Sequence, residues 1–325
     1  VWFSTFLLHF TFLILPFPSL SLTLVCTVSE SNESAPYLEP PLGTHTFGQG
    51  LAGQLTTAAE IDPNNPPWGL VAALLTWFGS VVLLYVVPIL FLIPYALIQG
   101  ARSGQSLLAD KTALFLAVLS TFPVHLLTFG GVWALVTNFG KRPFWRTLGW
   151  SWSKRVGFWT SAGLALVLLV AGIAFTKLVG GEPTDIDKVI ESSAASRIAL
   201  AILAALTAPL VEELVYRGVL YPAFQRAMGM FWAIVGVSIL FTLPHIPQYY
   251  RNVGVITVIF ILSLSLTLVR AFTGKLLPCF VMHLIFNGIQ SAYILLQPYL
   301  PQSVPDVEQK APAVLMLARS VRHLI

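Results

Sequence analysis

Charge is absent from three stretches of this chain that are each long enough to cross a lipid bilayer: 69–97, 113–139 and 156–176. A helix that spans hydrocarbon needs roughly 20 apolar residues, because its backbone N–H and C=O groups find no water there and must pair within the helix. Three further uncharged runs follow at 231–247, 252–269 and 276–297. A seventh apolar run, 198–226, differs from the rest in carrying acidic residues at its middle. Charged residues make up 10% of the 325, against about 25% in soluble domains, and the mean hydropathy is +0.79. Such a chain lacks the solvated groups needed to cover a globular surface. A soluble enzyme, a disordered protein and a secreted disulfide scaffold are therefore excluded. The expected fold is all-α, a polytopic transmembrane bundle of seven spans with a further apolar segment at the N-terminus.

That segment, residues 1–26, has no basic stretch before it and contains Pro16 and Pro18. A signal sequence carries such a basic stretch and a helix resists internal proline, so the segment reads either as a start-site artefact or as an extra span. Residues 27–67 hold no Lys or Arg and are rich in Pro, Gly, Thr and acids, which reads as a linker. The chain thus divides into 1–67, accessory helices at 68–194, a core at 195–297 that carries the buried ionisable groups, and a tail at 298–325.

The segment between the second and third spans holds Lys141, Arg142, Arg146, Lys154 and Arg155 with no acid, interleaved with Phe144, Trp145, Trp150 and Trp152. Basic loops stay on the cytoplasmic side and aromatic rings settle at headgroup level, so this loop is expected to be cytoplasmic. The net charge of +4 and the pI of 9.1 come from such short loops. The partner they imply is the bilayer with its anionic lipids, and no nucleic acid. Cys26 and Cys279 lie far apart and make neither a metal motif nor a disulfide framework. The localisation expected is a multi-pass integral membrane protein, in the plasma membrane if the host is bacterial.

Of the 14 acids, only Glu212 and Glu213 fall inside an apolar run. An ionisable group at the bilayer centre costs about 3 kcal/mol on insertion scales, so two in succession require a reason. Arg217 stands four residues from Glu213, on the same helix face, and can pair with it. Glu212 is turned about 100° away and has no partner within its own helix. A structural ion pair therefore accounts for Glu213 and leaves Glu212 over.

Two further pairs lie downstream, Phe241 with His245 and His283 with Asn287, each at i, i+4. A lone intramembrane histidine is ordinarily a hydrogen-bonded core residue; His9 and His125 are read that way, and Phe241 as packing. Depth sets the others apart. With the 140–155 loop inside, Glu212 lies 14 residues, about 21 Å, from the cytoplasmic end of its helix. His245 lies 13 residues or about 20 Å from that side, and His283 and Asn287 lie 8 and 12 residues or about 12 and 18 Å from it. Three helices thus bring a carboxylate, two imidazoles and an amide to similar depth, as one site would require.

Two histidines and a carboxylate are the ligand set of many hydrolytic zinc centres, so His245 and His283 are candidate ligands of one divalent ion such as zinc. A buried glutamate can equally serve as general base on water while His and Asn donors hold an oxyanion, with no metal. Both schemes hydrolyse an acyl bond. No H-E-x-x-H occurs, so the usual zinc-protease helix is absent.

Glu212-Glu213-Leu-Val-Tyr-Arg217-Gly218, then Phe241-x-x-x-His245, then His283-x-x-x-Asn287 resemble the three motifs of the CPBP family. This family comprises the CAAX prenyl endopeptidases and bacteriocin-processing relatives (the Abi domain). The resemblance covers roughly 195–297, in the family's order and with no departure at a motif position. It implies an intramembrane endopeptidase, metallo- or glutamic in mechanism, acting on a membrane-anchored peptide or protein substrate. It further implies that Glu212 activates water, that His245, His283 and Asn287 complete the site, and that Glu213 and Arg217 support it. Buried Glu, His and Arg also build proton-coupled transporters, although transport favours inverted repeats or paired broken helices, and neither is visible in the sequence. A membrane immunity or scaffold protein without proteolytic activity is the other class, against which the complete set Glu212, His245, His283 and Asn287 weighs.

Overall fold

The computed structural model describes residues 62–100, 107 and 109–300; the apolar N-terminal segment and most of the tail expected at 298–325 lie outside them. Every regular element among the described residues is helical. Helix α1, Leu70–Gln99, keeps Pro88 and Pro94 inside it and closes on Gly100 in the left-handed region at φ 63°. Most of its surface is exposed apolar side chain, including Val71, Leu75, Leu90 and Leu97, which suits contact with lipid tails. Helix α2, Lys111–Thr137, opens on Asp110, whose carboxylate accepts the N–H groups of Thr112 and Ala113 at 2.8 and 2.9 Å and the Tyr95 hydroxyl at 3.0 Å. Helix α3 is Phe158–Val179. The short α4, Asp185–Ser192, is opened by a reciprocal cap between Thr184 and Asp187.

Among the described residues, six helices are long and apolar enough to cross a membrane, where the sequence predicts seven. The difference lies in one run, Ala194–Tyr249, which is helical over 56 residues. Gly229 interrupts it with φ 84° and ψ 167°. A Cβ on Gly236 would meet the Phe224 ring at 3.0 Å, whereas twelve residues along a straight helix would set them about 18 Å apart. The run is therefore a hairpin of two helices, α5 (194–228) and α6 (230–249), and its two arms are the spans expected on either side of residue 229. Helices α7, Val253–Thr273, and α8, Leu277–Leu296, complete the bundle.

The chain alternates between two ends of this bundle. At one end the Leu276 N–H donates to Gly149 O at 3.0 Å, and Arg226 donates to the carbonyls of Pro66 and Trp68. Gly149, at φ 72°, lies so close to Gly274 O and Pro63 that a Cβ would stand 3.0 Å from each. The basic 140–155 loop and the turns before α1, after α5 and before α8 thus share one face, as alternate crossing requires. At the other end Glu182 meets Arg251 at 3.3 Å and the Asn252 amide at its carbonyl. Residues 62–67, the close of the stretch expected to be a linker, are held against the bundle through Arg226. The main core surrounds α5, where Leu214, Val219, Leu220 and Tyr221 are wholly buried.

Candidate active site

Helix α5 is not uniformly α-helical. Two wide π segments, Leu203–Thr207 and Leu214–Leu220, bracket the six-residue α segment Ala208–Glu213. Such i→i−5 turns occur mostly as short insertions at functional sites. They place Glu212 and Glu213 at the C-terminal edge of the α segment and Arg217 inside the second π turn. Gly218 follows, and a Cβ there would meet Leu148 Cδ2 at 3.0 Å. The glycine therefore lets the basic loop seat directly on α5.

The two glutamates occupy different surroundings. Glu213 is fully buried: its Oε1 accepts Arg217 Nη1 at 2.9 Å and His283 Nδ1 at 2.9 Å. Arg217, also fully buried, spends its remaining donors on Ser263 O and Oγ, both at 2.8 Å, and on Thr267 Oγ1 at 3.3 Å, all from α7. The ion pair expected from the sequence is present, and it is one layer of a three-helix network. The Glu212 side chain is 25% exposed, and its Oε2 lies 3.8 Å from His283 Nε2. One imidazole from α8 therefore stands between both carboxylates. Because a carboxylate only accepts, His283 carries its proton on Nδ1, toward Glu213, and turns Nε2 toward Glu212.

His245 lies in the last part of α6, where the helix tightens to a 3₁₀ turn at Leu243–His245. Its Nδ1–H donates to Phe241 O at 2.9 Å, which leaves Nε2 free of that bond. Phe241 does more than pack. Its ring stacks on His245 at 5.1 Å, meets His283 edge-on at 5.9 Å, and lies 4.7 Å beneath the Arg217 guanidinium. One aromatic ring thus spaces the two histidines and the arginine. Asn287 donates through Nδ2 to Ala204 O at 3.1 Å. That carbonyl is available because the Ala208 N–H turns back to Leu203 O and the next residue, Pro209, has no N–H to give.

Several neighbours of Glu212 were invisible as site residues in the sequence. His125 on α2 bonds Thr207 Oγ1 at 2.9 Å and, with Tyr216 and Tyr249, lies within electrostatic reach of the Glu212 carboxylate. The Tyr216 hydroxyl accepts Trp77 Nε1 from α1 at 3.2 Å. The reading of His125 as a hydrogen-bonded core residue is correct as far as it goes, but its partner belongs to the turn below Glu212. No sequence signal links residues 82 positions apart.

The orientation of His245 and His283, each with Nδ1–H tied to an oxygen, is the one that metal-bound histidines adopt. Among the described residues, however, no three His, Cys, Asp or Glu side chains gather as a cation requires.

Arranged in this way, the candidate site offers a partly exposed carboxylate, an imidazole fixed by a buried acid, a second imidazole and an anchored amide. No curated protein and no solved structure matches the chain. Residues 194–289 match the family model described as Rce1-like, type II CAAX prenyl endopeptidase. The matched region holds Glu212, Glu213, Arg217, His245, His283 and Asn287, and it leaves α1–α4 outside. Across 194–289, the chain is thus similar to the Rce1-like type II CAAX prenyl endopeptidase family.

Proposed function

We propose that the chain is an intramembrane endopeptidase that hydrolyses peptide bonds of membrane-anchored substrates, CAAX-like or other. The observation that carries this reading is the placing of His283 between a buried carboxylate 2.9 Å from Nδ1 and an accessible one 3.8 Å from Nε2. A gap of 3.8 Å is too long for a direct hydrogen bond and suits a substrate water that donates to both acceptors at about 2.8 Å. Such a water is polarised on two sides. As its oxygen attacks the scissile carbonyl carbon, the proton passes to Glu212. The carbonyl electrons move onto oxygen, for which the second N–H of Asn287 is the proposed donor, with the His245 ring completing the site. Collapse of the tetrahedral species breaks the C–N bond, and the proton held by Glu212 leaves with the amine. Glu213 and Arg217 take no part in the bond changes; they fix the tautomer and rotation of His283.

The basic loop at 140–155 supports a cytoplasmic placing of the bundle end that holds residues 62–69, and the plasma membrane is the location proposed for a bacterial host. The test is mass analysis of a membrane-anchored peptide incubated with purified, folded chain. Glu212→Gln, His245→Ala and His283→Ala each abolish the new fragments. Asn287→Ala slows their release roughly 10²–10³-fold, as loss of an oxyanion donor does. Exhaustive chelation leaves the rate unchanged. Cleavage that persists in Glu212→Gln removes the centre of the proposal. Loss on chelation that zinc restores would instead assign His245 and His283 to a metal.

A further inference from the structure

A second arginine is buried in this bundle. Arg270, near the C-terminal end of α7, is fully buried, and no carboxylate among the described residues forms an ion pair with it. Burying a cation with no carboxylate in contact is costly, and Asp62 acts on it only from a distance, so its donors need an explanation. Nε donates to Arg217 O at 3.0 Å, Nη1 to Asn64 Oδ1 at 3.2 Å and Nη2 to Pro63 O at 3.0 Å. All three acceptors are neutral oxygens, and the first is the backbone of the residue that pairs with Glu213.

The Arg217 carbonyl is free for the same reason as the Ala204 carbonyl. The Tyr221 N–H turns back to Tyr216 O, five residues earlier, and the following residue, Pro222, has no N–H. Each π segment of α5 therefore ends one residue short of a proline, and each leaves the carbonyl five residues before that proline without a backbone donor. In each case a side chain from another helix replaces it: Asn287 of α8 at Ala204 and Arg270 of α7 at Arg217. An unmet buried carbonyl carries the full penalty of its lost hydration, and a turn that can relieve it by returning to α geometry would rotate the residues it carries. Those residues include Arg217 itself and, just before the turn, Glu213.

We propose that Arg270 is a positioning residue of the site, whose Nε–H stands in for the N–H that Pro222 lacks and so holds the π turn that aims Arg217 and Glu213 at His283. Through its other two nitrogens the same side chain fastens residues 63 and 64, so the segment ahead of α1 belongs to the scaffold of the site. The assignment rests on the proposed reaction only for its kinetic readout.

The test compares Arg270→Gln in two backgrounds, the native chain and Pro222→Ala, which restores a backbone N–H for the Arg217 carbonyl. In the native background cleavage falls roughly 10- to 100-fold with KM little changed, since a small misplacement of reacting groups costs that much. In the Pro222→Ala background the same substitution costs less than about threefold. If Arg270→Gln does not fold in the native background, Arg270→Lys replaces it in both, because one ammonium cannot serve three separated acceptors. A second readout needs no catalysis: the Nδ1 proton of His283 in 15N-histidine-labelled full chain, whose exchange with solvent speeds up in the Arg270 variant and slows again with Pro222→Ala. Equal losses in both backgrounds, or a His283 proton indifferent to Arg270, would overturn the proposal. A chain that cleaves nothing but shows the expected exchange pattern keeps this assignment and loses the proposed function.

Discussion

Removing the Arg217–Glu213 pair in two steps tests how the buried layer is held. Arg217→Met deletes an ion pair at 2.9 Å, two bonds to Ser263 at 2.8 Å and one to Thr267 at 3.3 Å. It leaves the Glu213 carboxylate fully buried with His283 as its one donor, since Oε2 already has no hydrogen-bond partner. Breaking one side of a buried pair typically costs about 3–5 kcal/mol, so a loss of about 4 kcal/mol is expected. Glu213→Gln keeps an acceptor for His283 but strips Arg217 of its counter-charge, with an expected loss of about 3 kcal/mol. The double variant removes both charges at once and should lose about 3–4 kcal/mol rather than about 7, because the second substitution removes the charge that the first one strands. The resulting interaction of about 3 kcal/mol lies at the upper end for residues in contact. Unfolding of the purified chain in mixed micelles, followed for all four proteins under one condition, measures the cycle. Losses that add to within about 0.5 kcal/mol would refute the reasoning.

Three other perturbations are more local. Gly218→Val forces two methyl groups toward Leu148 and Leu276, where even a Cβ would stand 3.0 and 3.5 Å from their methyl carbons; a loss of about 1–3 kcal/mol in the same unfolding assay is expected. Asp110, outside the spans, is held below the ordinary carboxylate range first by the Ala113 N–H and also by Tyr95 and Thr112. A lowered pKa gives stability that is present above the unfolded value and is lost as pH falls through the folded one. Proteolysis of the α1–α2 connection should therefore accelerate only in acid below the ordinary carboxylate range, and Asp110→Asn should flatten that dependence. His125→Phe keeps a ring of similar bulk but drops the bond to Thr207; it should cost about 1 kcal/mol and slow cleavage, and an unaltered rate would place His125 outside the site.

What could be read from the sequence follows from range. Glu213 and Arg217 are four residues apart on one helix, so their pairing is written in the spacing, and the turn at residue 229 shows as a gap between apolar runs. The convergence of Glu212, His245 and His283 could be argued from depth alone, because each lies on a helix whose length sets its height. Lateral position could not. That His283 bridges both glutamates depends on how α8 is rotated against α5, and nothing local encodes the rotation. The π turns leave only Pro209 and Pro222 as traces, and either proline could as well have marked a kink. Arg270 looked like the first residue beyond a span, since a charge at a helix end is ordinarily solvated; its partners Pro63 and Asn64 are more than 200 positions away. The sequence places Asn287 in the site with His283 but gives no sign that one of its N–H bonds is committed to α5.

The region that matches the family model begins at residue 194, yet the hydrogen bonds around Glu212 do not respect that border. Trp77 of α1 donates to Tyr216, and His125 of α2 bonds Thr207, both across it. Excising 194–289 as an independent module would cut these bonds and expose the Tyr216 hydroxyl and the face of α5 that bears Thr207. The heritable unit recognised by sequence likeness and the unit that can stand alone in a bilayer are therefore not the same. Grafting the matched helices onto another membrane scaffold would transplant Glu212, His245 and His283 without the residues of α1 and α2 that bond to their surroundings.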